Sequence, residues 1–463
     1  MEQSTTIASL LDISSTRTGR RHWCMGICIV LLLACLARYW VRYVPTSEVD
    51  HGPETFHLAR NLYNTGQFSN PFASLDTGPS AHLSPAFPAF LALLMRVFGD
   101  QATGMYAVKL AAALALSLQV ALFPVFSRIL GMGTLNGVVG ATIWIVAKPR
   151  FVYRFEEFYA AILIAVACCI YRRFLDLNPR CSHRAAWALG TVMGLSILIV
   201  PPAGPIFAVW VCWEIWRRRT AFLKESLLPL ILLPVLIIAP WTIRNYRVFH
   251  QVIPVRDDFG LELSVSNNDC AQFGIQENIM SGCFDSLHPN HNASEARKVL
   301  ALGEPKYNEL RLRQARHWIG THPRRFIQLS ALRFVAFWMP SETETIHYAG
   351  TGRPLERLVI YLMTLLSAAG LVVLYRQDTK SAAVCMSCLM FFPLVYYIVE
   401  FEYRYRYPIL WVSFLLGALP ITTCLRAIWN ISSGKHWARP MISVHTIRSM
   451  PKLNTANVFE ASP

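Results

Sequence analysis

Charge is scarce in this sequence. Asp, Glu, Lys and Arg make up 15% of its 463 residues, against 54% apolar types, and the mean hydropathy is +0.36. So little charge excludes an ordinary soluble chain, because apolar runs of helix-spanning length recur from end to end. Acids are the scarcer sign, 28 against 43 Lys and Arg, for a net charge of +15. That excess does not indicate nucleic acid. Arg20 and Arg21, Arg172 and Arg173, Arg217 to Arg219, and Arg376 cap apolar runs, where basic residues report topology. A Walker-type phosphate loop, an HExxH helix and a paired CxxC metal site are all missing, which disfavours nucleotide-sugar chemistry. There is no internal repeat and no long low-complexity segment. Most of the 12 cysteines lie in apolar stretches, such as Cys28, Cys35, Cys168 and Cys169, as small buried hydrophobes. Only Cys270 and Cys283, bracketing a Gly-containing polar loop, read as a possible disulfide, with free thiols as the alternative.

The expected fold class is an all-α polytopic membrane protein. Arg17, Arg20 and Arg21 precede an apolar run from about Trp23 to Val44, a signal anchor with a cytoplasmic N-terminus. Nine further spans are expected at Met105 to Arg128, Gly133 to Ala147, Phe158 to Phe174, Ala185 to Val200, Ala203 to Trp216, Leu227 to Trp241, Leu355 to Tyr375, Ala382 to Val399, and Pro408 to Leu425. The run Ser84 to Phe98 is short, opens on Pro85 and Pro88, and contains Arg96. Counting it as a crossing would carry the later Arg clusters outside, so it is laid in the interface. The resulting division is a cytoplasmic tail 1–22, a core 23–241 with a first outer loop 45–103, an outer insertion 242–354, C-terminal spans 355–427 and a cytoplasmic tail 428–463. Within the insertion, Glu295 to Ile319 has helical spacing, with Leu300, Leu302, Leu310, Leu312, Ala315 and Ile319 available to pack. Pro323 to Pro340 is expected to lie along the membrane surface.

Scarce acids draw attention where they gather. Glu48, Asp50 and Glu54 stand just outside the first span, and a charge so close to hydrocarbon is costly unless it is solvated, paired or used. Glu156 and Glu157 stand at the start of another span, preceded by Arg150 and Arg154. Both groups also have ordinary readings: Glu54 as a first-turn acid after Pro53, Asp50 as a solvated loop residue, and Glu156 and Glu157 as helix-end acids paired with Arg154.

In order along the chain come this acidic loop, ETFHLARNL from Glu54, DTGPSAHLSPAFPAFLALLMRVFG from Asp76, APWTIRNYRVF from Ala239 and EFEYRYRYPILW from Glu400. That series resembles the bacterial branch of the GT-C glycosyltransferases, which includes protein O-mannosyltransferases and the lipid A aminoarabinose transferase. Each motif is short; the order and spacing, over about Trp23 to Leu425, are the specific part. The resemblance implies a GT-C-like core of about ten helices, juxtamembrane helices in the first outer loop and an outer-face active site. It also implies a sugar donor on a polyprenyl phosphate, a glycan, lipid or protein acceptor, and residence in a bacterial inner membrane with chemistry on the periplasmic side.

Transfer from phosphate to an acceptor hydroxyl or amine needs a group to take the acceptor's proton, and a single carboxylate acting without a covalent intermediate gives inversion. By this resemblance the catalytic acids are Glu54, favoured for its register with Ala59 and Arg60, and Asp50. Glu157 and Glu156 form a second acidic site that could bind a divalent metal or position the acceptor, with no certain cofactor implied. Arg404 and Arg406 suit the donor phosphate, with an interfacial anchor as the alternative. Arg244, otherwise a snorkelling helix-end residue, and His82, otherwise a loop histidine where the family often has an aromatic, are further donor or sugar contacts. From other classes, a lipid-linked glycan transporter or flippase would use the same charges to line a path, and a non-catalytic membrane assembly component would use the insertion for docking.

Overall fold

The computed structural model describes residues 17–43, 54–149, 153–177, 183–219, 226, 228–346 and 354–432, and among them there is no β-strand. Asp50 and Arg150 lie outside the described residues. The segment expected as the first span is helix α1 (Arg17–Tyr43), followed by α2 (Glu54–Thr65) and α3 (Ala86–Phe98). The core continues with α4 (Ala102–Ala121), α5 (Phe123–Ile129), α6 (Thr134–Ala147), α7 (Glu157–Phe174), α8 (His183–Ile199), α9 (Gly204–Arg218) and α10 (Leu233–Phe249). The insertion holds α11 (Phe259–Ser266), α12 (Ile275–Met280), α13 (Cys283–Leu287), α14 (Ala293–Leu302), α15 (Glu304–Thr321), α16 (Pro323–Trp338) and α17 (Glu342–Ile346). The chain returns through α18 (Pro354–Gln377), α19 (Thr379–Phe391) and α20 (Tyr407–Ser432), with 3-10 turns at Phe392–Tyr397 and Tyr403–Arg406.

Five of these segments are long and apolar enough to cross a membrane: Ala102–Ala121, Leu228–Phe249, Pro354–Gln377, Thr379–Tyr397 and Tyr403–Trp429. Shorter apolar helices accompany them at Cys24–Trp40, Ala86–Phe98, Thr134–Ala147 and His183–Ile199. Small residues let the helices close up, since lipid supplies no hydrophobic drive between them. A Cβ on Gly370 of α18 would strike the Leu416 carbonyl of α20, and one on Gly190 of α8 would strike that of Pro229. Buried polar groups then fix register. Asn136 donates to the Leu415 carbonyl (2.9 Å) and accepts from Thr422 (3.1 Å), joining α6 to α20, and Trp210 donates to Ser387 (2.8 Å).

Two sequence expectations shift. The helix expected to stop at Trp241 runs on to Phe249, where His250 ends it in the left-handed region (φ 55°). The helical run expected from Glu295 to Ile319 breaks at Gly303 (φ 80°). Pro305 then opens the next helix, because a proline tolerates only its first turn. That break turns Leu300 and Leu302 outward, 55% and 43% exposed, while Val299, Tyr307 and Ala315 pack.

Insertion and first loop are stitched together. Asp257 N–H donates to the Ala81 carbonyl (2.8 Å), Ala81 N–H to Glu304 (2.6 Å) and Ala73 N–H to Asn290 (2.8 Å). Cys270 and Cys283 are joined by a disulfide that encloses α12.

Candidate functional site

A cavity of about 380 Å³ gathers five of the scarce acids. Its wall carries Glu54 from the start of α2, Glu156 and Glu157 from the start of α7, and Asp258 and Glu262 around α11, together with the guanidinium groups of Arg256 and Arg404. Pro88, Pro201, Pro202, Pro205 and Pro408 supply stiff wall with no N–H to satisfy, and Phe155, Tyr396 and Tyr405 add aromatic surface.

Local structure explains who points inward. Asp258 and Glu262 are four residues apart, so both fall on one face of α11. Arg404 and Arg406 share a 3-10 turn at three residues per turn, so residues two apart diverge. Arg404 reaches the cavity, donating to Glu157 (2.6 Å) and Glu402 (2.5 Å) with its guanidinium over the Phe155 ring (3.6 Å) and near Tyr405 (4.8 Å). Arg406 turns away into the helix core. It donates to the Trp338 carbonyl (2.7 Å), Thr364 (2.7 Å) and Ser413 (3.0 Å), and its expected contact with donor phosphate is set aside. Arg244 also lies off the cavity wall. It clamps the first loop through the Ser80 (2.6 Å) and Phe68 (2.8 Å) carbonyls and stacks on Trp241 (4.8 Å), so its role here is to shape the loop.

Glu54 is backed by two imidazoles that do not themselves line the cavity. His82 Nε2 is 3.4 Å and His288 Nδ1 3.6 Å from its carboxylate, and Glu54 is 19% exposed. Burial would raise the Glu54 pKa, but His82 and His288 outweigh it and bring the group down to about 2. Burial opposes protonation of His82, yet the Glu54 carboxylate lifts its pKa above the ordinary value. For His288, burial wins and the pKa falls to about 4. Among the described residues, neither nitrogen of the buried His82 ring makes a hydrogen bond of good geometry, and Nε2 meets Glu54 only at ion-pair distance. One atom each from Glu54, His82 and His288 lie within 4.8 Å of one another, and two imidazoles with a carboxylate are a ligand set that suits zinc.

His288, Arg256, Asp258 and Glu262 were not anticipated. For the last three a signal was present: the run RDDFGLELS directly after a long apolar helix places two acids at helical spacing beside an arginine. His288 reaches Glu54 only through the fold of the insertion, at the end of α13 and stacked on Phe284 (4.6 Å between ring centres).

Sequence comparison finds no matching family model and no matching curated protein. Solved structures do match. The apo oligosaccharyltransferase of Archaeoglobus fulgidus superposes with a TM-score of 0.51 at 11% identity, over 89% of this chain and 52% of that one. The chain carries the GT-C fold. The same archaeal enzyme in complex with Zn and sulfate gives 0.51 at 13% identity, over 87% of this chain and 49% of that one. This chain therefore spans about half the length of the oligosaccharyltransferase it matches. ArnT from Cupriavidus metallidurans, bound to undecaprenyl phosphate, gives 0.37 at 13% identity, over 90% of this chain and 80% of that one. With five helices of spanning length on a GT-C core, the chain is an integral membrane protein.

Proposed function

We propose that the chain is a membrane glycosyltransferase that moves a sugar from a polyprenyl-phosphate donor to an extracytoplasmic acceptor with inversion. The observation that carries this reading is the cavity itself, where five carboxylates face two arginines within a GT-C fold. Its volume falls in the range of about 300–1,000 Å³ typical of small-molecule sites. Arg404 and Arg256 are the cations that would meet donor phosphate, each exchanging part of its contact with Glu157 or Asp258 for phosphate oxygens. Tyr396, Tyr405 and Phe155 offer faces for the sugar. Glu156 and Glu157 position the acceptor side.

Glu54, the base expected from the resemblance, has a different strength. With two imidazoles stabilising its anion it holds a proton poorly, which favours a cation-anchoring duty. A divalent metal held by Glu54, His82 and His288 would add positive charge at that edge of the cavity, where leaving phosphate gathers negative charge. Loss of bound zinc by elemental analysis in His82→Ala and His288→Ala, with the fold retained, checks this assignment.

The same reading puts both termini in the cytoplasm and the insertion outside, in a bacterial inner membrane, on the ground of the Arg and Lys distribution. The decisive experiment supplies purified protein with a panel of undecaprenyl-phosphate sugars and measures carrier release. Release from at least one donor is expected. Transbilayer movement of an intact lipid-linked sugar without bond cleavage would favour the transporter reading instead.

A further inference from the structure

Five carboxylates line one cavity, and their surroundings sort them. Glu54 is held between His82 and His288, Glu157 is ion-paired to Arg404, and Asp258 is ion-paired to Arg256. Glu156 stands at the N-terminal end of α7, directly before the ion-paired Glu157. Glu262 is different. It sits in the first turn of α11, partly buried, and among the described residues its carboxylate has neither a hydrogen bond nor an ion pair.

Its backbone, in contrast, is tightly held. Leu261 and Leu263 on either side are buried, Ser266 donates to the Glu262 carbonyl (2.6 Å), and Gly260 lies against the Asn308 carbonyl of α15. A fixed backbone carrying an uncommitted carboxylate into a cavity is the arrangement a proton-transfer group requires. We infer that Glu262 is the general base that takes the acceptor's proton during transfer. This assignment rests on the glycosyltransferase reading above.

Electrostatics agree. Burial raises the proton affinity of Glu262, and the Glu54 carboxylate adds to it, against Arg256 and Arg404 in the cavity wall and His82 behind it. In the step itself, the acceptor oxygen or nitrogen forms its bond to the anomeric carbon while the bond from that carbon to the phosphate oxygen breaks. The electron pair of the broken bond leaves on the polyprenyl phosphate, and the acceptor proton passes to a Glu262 carboxylate oxygen, then to solvent. Arg256 and Arg404 receive the new phosphate charge.

Azide separates proton removal from every other duty, because it attacks without a proton to lose. The test uses full-length protein in detergent with undecaprenyl-phosphate sugars as donors, and glycerol, water or azide as acceptors. For Glu262→Gln, transfer to glycerol and water is expected to fall at least ~100-fold while glycosyl azide forms within about threefold of the wild-type rate. Glu262→Asp, which keeps the carboxylate, is expected to retain more glycerol transfer than Glu262→Gln, and its comparison with wild type holds if the amide variant misfolds. Equal loss of both reactions in folded Glu262→Gln would make the residue a wall or donor contact and overturn the assignment, as would undiminished glycerol transfer. A wild-type protein that cleaves none of the donors would sink the glycosyltransferase reading together with this one, whereas active wild type with active Glu262→Gln sinks only the base.

Discussion

Arg404 is the residue on which the cavity's charge balance turns. Its side chain and that of Glu157 are 15% and 5% exposed, so deleting the cation leaves a buried carboxylate without its partner. Arg404→Ala is expected to destabilise the protein by about 3 kcal/mol and to weaken donor use more than acceptor use, read from thermal melts and donor titrations. Arg404→Lys recovers only part, since a point charge cannot bridge Glu157 and Glu402 while stacking on Phe155. A second residue-scale test concerns Glu400, 1% exposed and bonded to Asn278 (2.5 Å), whose pKa burial lifts from 4.5 to about 8. An acid whose folded pKa is raised stabilises most below its unfolded pKa. Wild-type stability should therefore fall between about pH 4.5 and 8 with a slope of up to ~1.4 kcal/mol per pH unit from this group. Glu400→Gln should flatten that part of the profile in melts across pH, and an unchanged slope would refute it. The sequence made Arg404, Glu54 and Glu157 legible because scarce charge at the end of an apolar run stands out; it could not separate Arg404 from Arg406, which differ only by their angle around a 3-10 turn.

At the scale of elements, α11 delivers Asp258 and Glu262, and its seat on α15 is set by a single missing side chain. A Cβ at position 260 would collide with the Asn308 carbonyl and crowd the Leu312 Cβ at 3.2 Å. Gly260→Ala is expected to cost about 1–3 kcal/mol through overpacking and, by displacing the cavity acids, to lower transfer on the order of tenfold to a hundredfold. Normal transfer rates would show that α11 does not carry the chemistry. The apolar helices were readable from the sequence because hydrophobic runs and basic caps report them directly. α11 was not, because eight residues carry little periodicity and their burial depends on α15, more than forty residues further on. His288 was hidden for the same reason: only the packed insertion brings it to Glu54.

For the whole molecule, the test is topology. Reporter fusions at Arg219 and Gly282 are expected to report opposite compartments, with Gly282 outside, where a disulfide between Cys270 and Cys283 can persist. Both on one side would overturn the orientation. The pairing of Glu157 with Arg404 across 247 residues also bears on how the protein is made. During synthesis the acid enters its helical surroundings long before the arginine leaves the ribosome, so a buried anion must wait in water, under a proton or beside a chaperone. Arrival of the last helices closes that vacancy. A nascent chain halted just short of Arg404 would have nearly all its helices and still be recognisable to quality control by one uncompensated charge.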